Sequence, residues 1–167
     1  RREHIIDALG LIFKVNHRYS FESSEDDDQF LEGTGSMILD RPNKIVYACL
    51  SPRTNIFLLD RFCLLMNYQL VSFFSTDQNN KEIYHTNVMM AIADKYAVVC
   101  LESIRDEDKR NEVIHSLENS GKEIIEISFD QVLQFAGNML QVEGSGGQKY
   151  MIMSERAYNS LSKEQIN

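Results

Sequence analysis

The stretch Leu31-Glu32-Gly33-Thr34-Gly35-Ser36-Met37-Ile38-Leu39-Asp40 places a carboxylate and two glycines directly ahead of a short apolar run. The turn Arg41-Pro42-Asn43-Lys44 and a second apolar run, Ile45-Val46-Tyr47-Ala48-Cys49-Leu50, follow it. Two β-branched, aromatic and aliphatic runs around a turn predict a β-hairpin, with Glu32 at its mouth.

Working outward, the hairpin has copies. Val88 to Ala93 turns through Asp94-Lys95 into Tyr96 to Leu101, and Asn138 to Val142 turns through a glycine-rich link into Tyr150 to Met153. The copies recur at roughly 50 residues, a period that signals repeat architecture. Behind the first hairpin lie an amphipathic segment, Asn55 to Asn67, and an extended one, Leu70 to Ser75. Behind the second lie Asp106 to Ser120, with Val113, Ile114 and Leu117 at helical spacing, and then Ile124 to Ile127. The unit is strand, strand, helix, strand. The third copy has a hairpin and the start of a helix but no closing strand.

The chain of 167 residues, 43% hydrophobic, suffices for one core, so a single α/β domain over residues 1–167 is expected. A net charge of -8 without a basic stripe argues against nucleic acid or an anionic membrane as partner. No apolar run approaches the roughly 18 to 20 residues that cross a bilayer. Cys49, Cys63 and Cys100 lie in apolar surroundings without metal-knuckle spacing; an odd count fits a reducing, cytoplasmic setting, and buried inert thiols are the expectation. Residues 1–15 read as the closing helix of a preceding repeat, packing through Ile5, Ile6, Leu9, Leu11, Ile12 and Phe13, with Gly10 a point where it could end. Ser162 and Gln165 form a capping box. Both ends are thus expected to fall inside structure, which predicts an internal part of a longer protein. Exposed strand edges would then favour a homo-oligomer.

Four polar positions are candidates for a site. Glu32 is either functional or a strand-entry carboxylate held by backbone N–H groups of its glycine turn. Arg53, in the tight Ser51-Pro52-Arg53-Thr54-Asn55 connection, could grip a carboxylate with its planar fork, although the residues alone favour a surface ion pair. His85 stands in the second repeat nearly where Glu32 stands in the first. If the repeats surround an axis the two converge, giving a carboxylate that orients an imidazole for acid-base work. Asn138 holds the matching place in the third repeat, lining the same cavity or satisfying backbone groups at the strand entrance. The acids of Ser23-Ser24-Glu25-Asp26-Asp27-Asp28 lack the glycine-centred spacing of a calcium loop and read as a solvated, mobile loop. No metal, flavin, phosphate or dinucleotide motif is present, so neither metal nor cofactor is expected.

The segments Phe30 to Ser36, Leu50 to Asn55, His85 to Val88 and Gly137 to Leu140 together resemble the guanidine-modifying, or pentein, superfamily, and look most like its citrulline-utilisation hydrolase branch within the amidinotransferase-type families. The resemblance implies a five-bladed α/β propeller of ββαβ repeats, of which about three are present. It implies a hydrolase that cleaves a C–N bond of a guanidino or ureido amino acid by cysteine attack. On this resemblance His85 is the general acid and base, Glu32 contacts the cationic substrate and orients His85, and Arg53 holds the substrate carboxylate. The nucleophilic cysteine is expected beyond residue 167, so these residues alone would be inactive. Arginine deiminases carry an aspartate where this chain has Asn87; a neutral amide fits citrulline better, with arginine and methylarginine the other candidates. Ser36 replaces an aspartate common in relatives. Amidino transfer, and a non-catalytic binding protein on the same fold, are the alternatives.

Overall fold

A computed structural model describes residues 3–166. Two of its sheets have the same construction. In the first, β1 (Ile38–Asp40) pairs antiparallel with β2 (Ile45–Cys49). The chain crosses over through helix α2 (Ile56–Met66) and returns as β3 (Gln69–Phe73), parallel to β2. In the second, β4 (Met90–Ile92), β5 (Tyr96–Val99), α3 (Glu107–Asn119) and β6 (Glu123–Glu126) repeat the pattern. A third hairpin, β7 (Leu140–Glu143) with β8 (Lys149–Ile152), has no third strand among the described residues. The repeat read from the apolar runs is therefore the repeat of the fold, and the first strands pack in succession, β1 against β4 and β4 against β7.

The central strands explain why the units hold together. All five residues of β2 are buried, as expected of a strand covered on both faces. Ile45, Tyr47 and Cys49 face the larger core, which includes Val98, Val113 and Leu117, whereas Val46 and Ala48 face Leu59 and Cys63 of α2. The period-2 alternation of a strand thus joins two units, and the Tyr47 hydroxyl completes the link by sharing a hydrogen bond with Ser116 Oγ at 2.8 Å. Helix ends follow local chemistry. Asn55 caps α2 by accepting from the Phe57 and Leu58 N–H groups, and Asp106 caps α3 by accepting from Lys109. Ser162 and Gln165 exchange the capping-box hydrogen bonds ahead of a short helix, Lys163–Ile166.

Two expectations change. The first helix, α1, runs from Glu3 to Ile12, straight through Gly10, and its apolar residues do not pack: none is buried, and Leu11 is 91% exposed. Periodicity marks an apolar face but not what covers it. Arg1 and Arg2, also assigned to that helix, lie outside the described residues. The acidic segment is not an irregular loop but a short 3-10 helix, Glu22–Asp27, ended by Asp28 in the left-handed region.

Between the second and third units the backbones touch at Gly137, where an added Cβ would meet the Val88 carbonyl and lie 2.9 Å from the Met89 backbone. Backbone cannot move aside as a side chain can. Gly137→Ala is expected to cost about 1–3 kcal/mol in a urea unfolding titration.

Candidate active site

The site is built where the entrances of the first two units meet. The turn carrying Glu32 is closed by Ser36, whose buried hydroxyl accepts from the Glu32 N–H at 2.8 Å and donates to the Arg53 carbonyl at 2.8 Å. One hydroxyl therefore fixes two segments 17 residues apart. The Ser36 carbonyl accepts from Thr86 Oγ1 at 2.6 Å, and that hydroxyl accepts from the Cys49 N–H at 2.8 Å, bringing in the segment that carries His85. Backbone hydrogen bonds from Asn55 to Phe30 (2.9 Å) and from Asn87 to Gly35 (3.4 Å) close the frame. Buried hydroxyls with both roles filled are what hold loop-borne groups in one place.

On this frame His85 Nε2 lies 2.5 Å from Glu32 Oε2, although the two residues are 53 apart in sequence. An ionised carboxylate can only accept, so Nε2 carries the hydrogen and Nδ1 is left free to accept or bind a proton. Arg53 Nη1 stands 3.7 Å from the same Glu32 oxygen. The Arg53 guanidinium lies 4.9 Å over the Tyr84 ring, whose centroid is 4.7 Å from that of His85. The four side chains form a closed circuit. The His85 side chain is 21% exposed, Glu32 39% and Arg53 53%, so the pair is sheltered yet open to a small molecule.

Asn87 sits half-buried in the short 3-10 turn Thr86–Val88, next to this group. Asn138 does not join it. It is exposed, its backbone N–H bonds to the Phe135 carbonyl, and it lines a separate cavity of about 430 Å³. Tyr84, Val88, Phe129 and Phe135 share that cavity; neither Glu32 nor His85 lines it. The sequence reading missed Tyr84 and Thr86 and saw Ser36 only as a departure. Short hydroxyl residues at strand entrances are the one signal that could have pointed to the frame.

The three cysteines are free and buried. Burial pushes Cys63 and Cys100 up to about 11, and raises Cys49 although its Sγ lies 3.0 Å from Ser75 Oγ. All three are neutral thiols at physiological pH, poor nucleophiles by comparison with a thiolate. Among the described residues no group of three or more His, Cys, Asp or Glu side chains is placed to hold a metal ion.

Gly35 makes the pairing depend on the absence of a side chain. A Cβ there would sit 3.0 Å from His85 Cδ2 and Nε2, tighter than ordinary packing. Gly35→Ala is expected to push the imidazole off Glu32 by a few tenths of an ångström while the fold persists. The far-downfield Nε2 proton signal in an NMR spectrum should weaken or vanish; an unchanged signal would show that the ring can yield without leaving its partner.

The family model for eukaryotic N,N dimethylarginine dimethylhydrolase matches residues 1–167. The cyanobacterial arginine dihydrolase ArgZ of the ornithine-ammonia cycle, in its apo crystal structure, superposes with a TM-score of 0.56 at 17% identity over 69% of this chain and 18% of its own. The N-terminal domain of ArgZ bound to its substrate gives 0.55 at 18% identity, over 68% of this chain and 40% of that domain, and the same domain carrying a covalently bound reaction intermediate gives 0.54. At such identities the likeness shows the fold alone, a mixed α/β architecture, and this chain spans less than half the length of either structure. No curated protein sequence matches it.

Proposed function

The chain belongs to the eukaryotic N,N dimethylarginine dimethylhydrolase family, and from that premise we propose that the full-length protein is a hydrolase cleaving a C–N bond of a guanidino amino acid. The observation that carries the reading is the 2.5 Å contact between Glu32 and His85, with Arg53 beside the same carboxylate. The family match does not support citrulline, which Asn87 had favoured; arginine or a methylated arginine fits better. The two ββαβ units and the hairpin supply part of a closed five-unit ring around the axis of β1, β4 and β7. Free, buried thiols fit a reducing, cytoplasmic setting.

In this mechanism Glu32 offers its carboxylate to the guanidinium and holds the His85 ring, while Arg53 binds the substrate's α-carboxylate in its fork. Asn87 offers a neutral amide at the edge of the site, whereas Asn138 lines the neighbouring cavity and takes no part. The nucleophile is a thiolate from a segment outside these 167 residues, since Cys49, Cys63 and Cys100 are buried and neutral. Its sulfur bonds to the guanidinium carbon; the C–N bond to the leaving amine breaks as His85 delivers a proton to that nitrogen. His85 then takes a proton from water, whose oxygen bonds to the same carbon as the C–S bond breaks and the thiolate returns. For N,N-dimethylarginine the sum is water consumed, citrulline and dimethylamine released.

The test is to incubate full-length protein with arginine, N,N-dimethylarginine and citrulline in turn, without any amine acceptor. Amine release from either of the first two supports hydrolysis. Turnover only when an acceptor amine is added would assign amidino transfer instead, and turnover of citrulline alone would overturn the substrate class.

A further inference from the structure

We propose that Tyr84 is a positioning residue: its ring face holds the Arg53 guanidinium away from Glu32 and so keeps the Glu32 oxygen for His85. Arg53 and His85 compete for one atom. Both approach Glu32 Oε2, the imidazole at 2.5 Å and the guanidinium at 3.7 Å. A guanidinium free to choose would close on the carboxylate in a two-pronged ion pair, because fork and carboxylate match in shape and charge. The Arg53 side chain is half exposed and has the room and length to do so. Its Cζ instead lies 4.9 Å over the Tyr84 ring, whose electron-rich face attracts a cation without taking up its N–H donors. The fork is thereby kept for an incoming carboxylate.

The ring can play this part because its backbone cannot drift. The Tyr84 carbonyl accepts from Ser51 Oγ at 2.8 Å, tying it to the turn that carries Arg53. On one side Ile83 is buried and its N–H bonds to Ser75; on the other, buried Thr86 is locked to Ser36 and Cys49. The Tyr84 hydroxyl has no hydrogen-bond partner among the described residues, so the face, not the hydroxyl, is the working part.

The kinetic arm of the test rests on the hydrolase reading; the spectroscopic arm does not. In protein labelled at histidine, the far-downfield His85 Nε2 proton, identified by its absence from His85→Ala, is expected to persist in Tyr84→Phe and to be lost in Tyr84→Leu, which keeps bulk without a π face. It is expected to return in Tyr84→Leu combined with Arg53→Gln, where no cation remains to capture Glu32. A signal that survives in Tyr84→Leu, or that stays lost in the double variant, overturns the proposal, the second outcome by showing a merely structural role. In the full-length protein kcat should fall about 100-fold in Tyr84→Leu, the scale of an ångström misplacement at a reacting group, and recover at least tenfold in the double variant while KM stays high. If wild-type protein turns over no guanidino compound, the hydrolase reading fails and the spectroscopic result still decides the role of Tyr84.

Discussion

In full-length protein, His85→Ala is expected to lower the rate of guanidino C–N hydrolysis by about 100- to 10,000-fold, the usual worth of a positioned acid-base group. The imidazole meets the demands of that role. It lies on a fixed turn, its Nε2 is oriented by Glu32 at 2.5 Å, and about a fifth of its side chain is open to solvent. Among the described residues no buried hydrogen bond depends on the ring, so unfolding should remain cooperative with an unchanged midpoint. Glu32→Gln keeps the shape but removes the charge, and should weaken substrate binding as well as slow turnover. Rates within threefold of wild type for folded His85→Ala would move the proton transfers to another group.

The second large effect concerns stability, at the opposite end of the strands. Lys122, directly before β6, reaches Asp40 at the end of β1 with Nζ 3.1 Å from Oδ2; the two side chains are 3% and 0% exposed. Lys122 also donates to the Asp94 carbonyl at 3.0 Å, and Asp40 accepts from the Asn43 side chain at 2.9 Å. Taking two charges from water is costly, and the pair offsets that cost only while both members are present. Lys122→Met leaves the buried Asp40 carboxyl without its cation, and should reduce stability by about 3–5 kcal/mol in a denaturant titration. Combining it with Asp40→Leu should recover most of the loss. A Lys122→Met change below about 0.5 kcal/mol would mean that water reaches the pair.

How much of this was legible in the sequence depended on the kind of signal. The ββαβ units were readable because each needs a buried central strand and a covering helix, and runs such as Ile45 to Cys49 and the spacing of Val113 and Leu117 cannot be satisfied otherwise. Glu32 and His85 were readable as partners because they stand at nearly equivalent places in two successive repeats, whose first strands β1 and β4 pack together. Asn138, placed by the same argument, fell into a neighbouring cavity instead, since the third unit meets the second through the Gly137 contact. The packing of α1 was not readable, because an apolar stripe does not name its cover. Nor was the Ser36–Thr86 frame: a hydroxyl's partners depend on backbone groups that only the folded chain brings near. The substrate was the least legible, since a single amide, Asn87, was asked to separate citrulline from arginine, and the family match does not support citrulline.

The most direct test of the central claim is a crystal structure of the full-length protein with N,N-dimethylarginine bound. The account predicts the guanidinium within hydrogen-bonding distance of the Glu32 carboxylate, a leaving nitrogen facing His85, and the α-carboxylate in the fork of Arg53. A ligand seated in the cavity between Ile83 and Phe135, with Glu32 and His85 untouched, would contradict it.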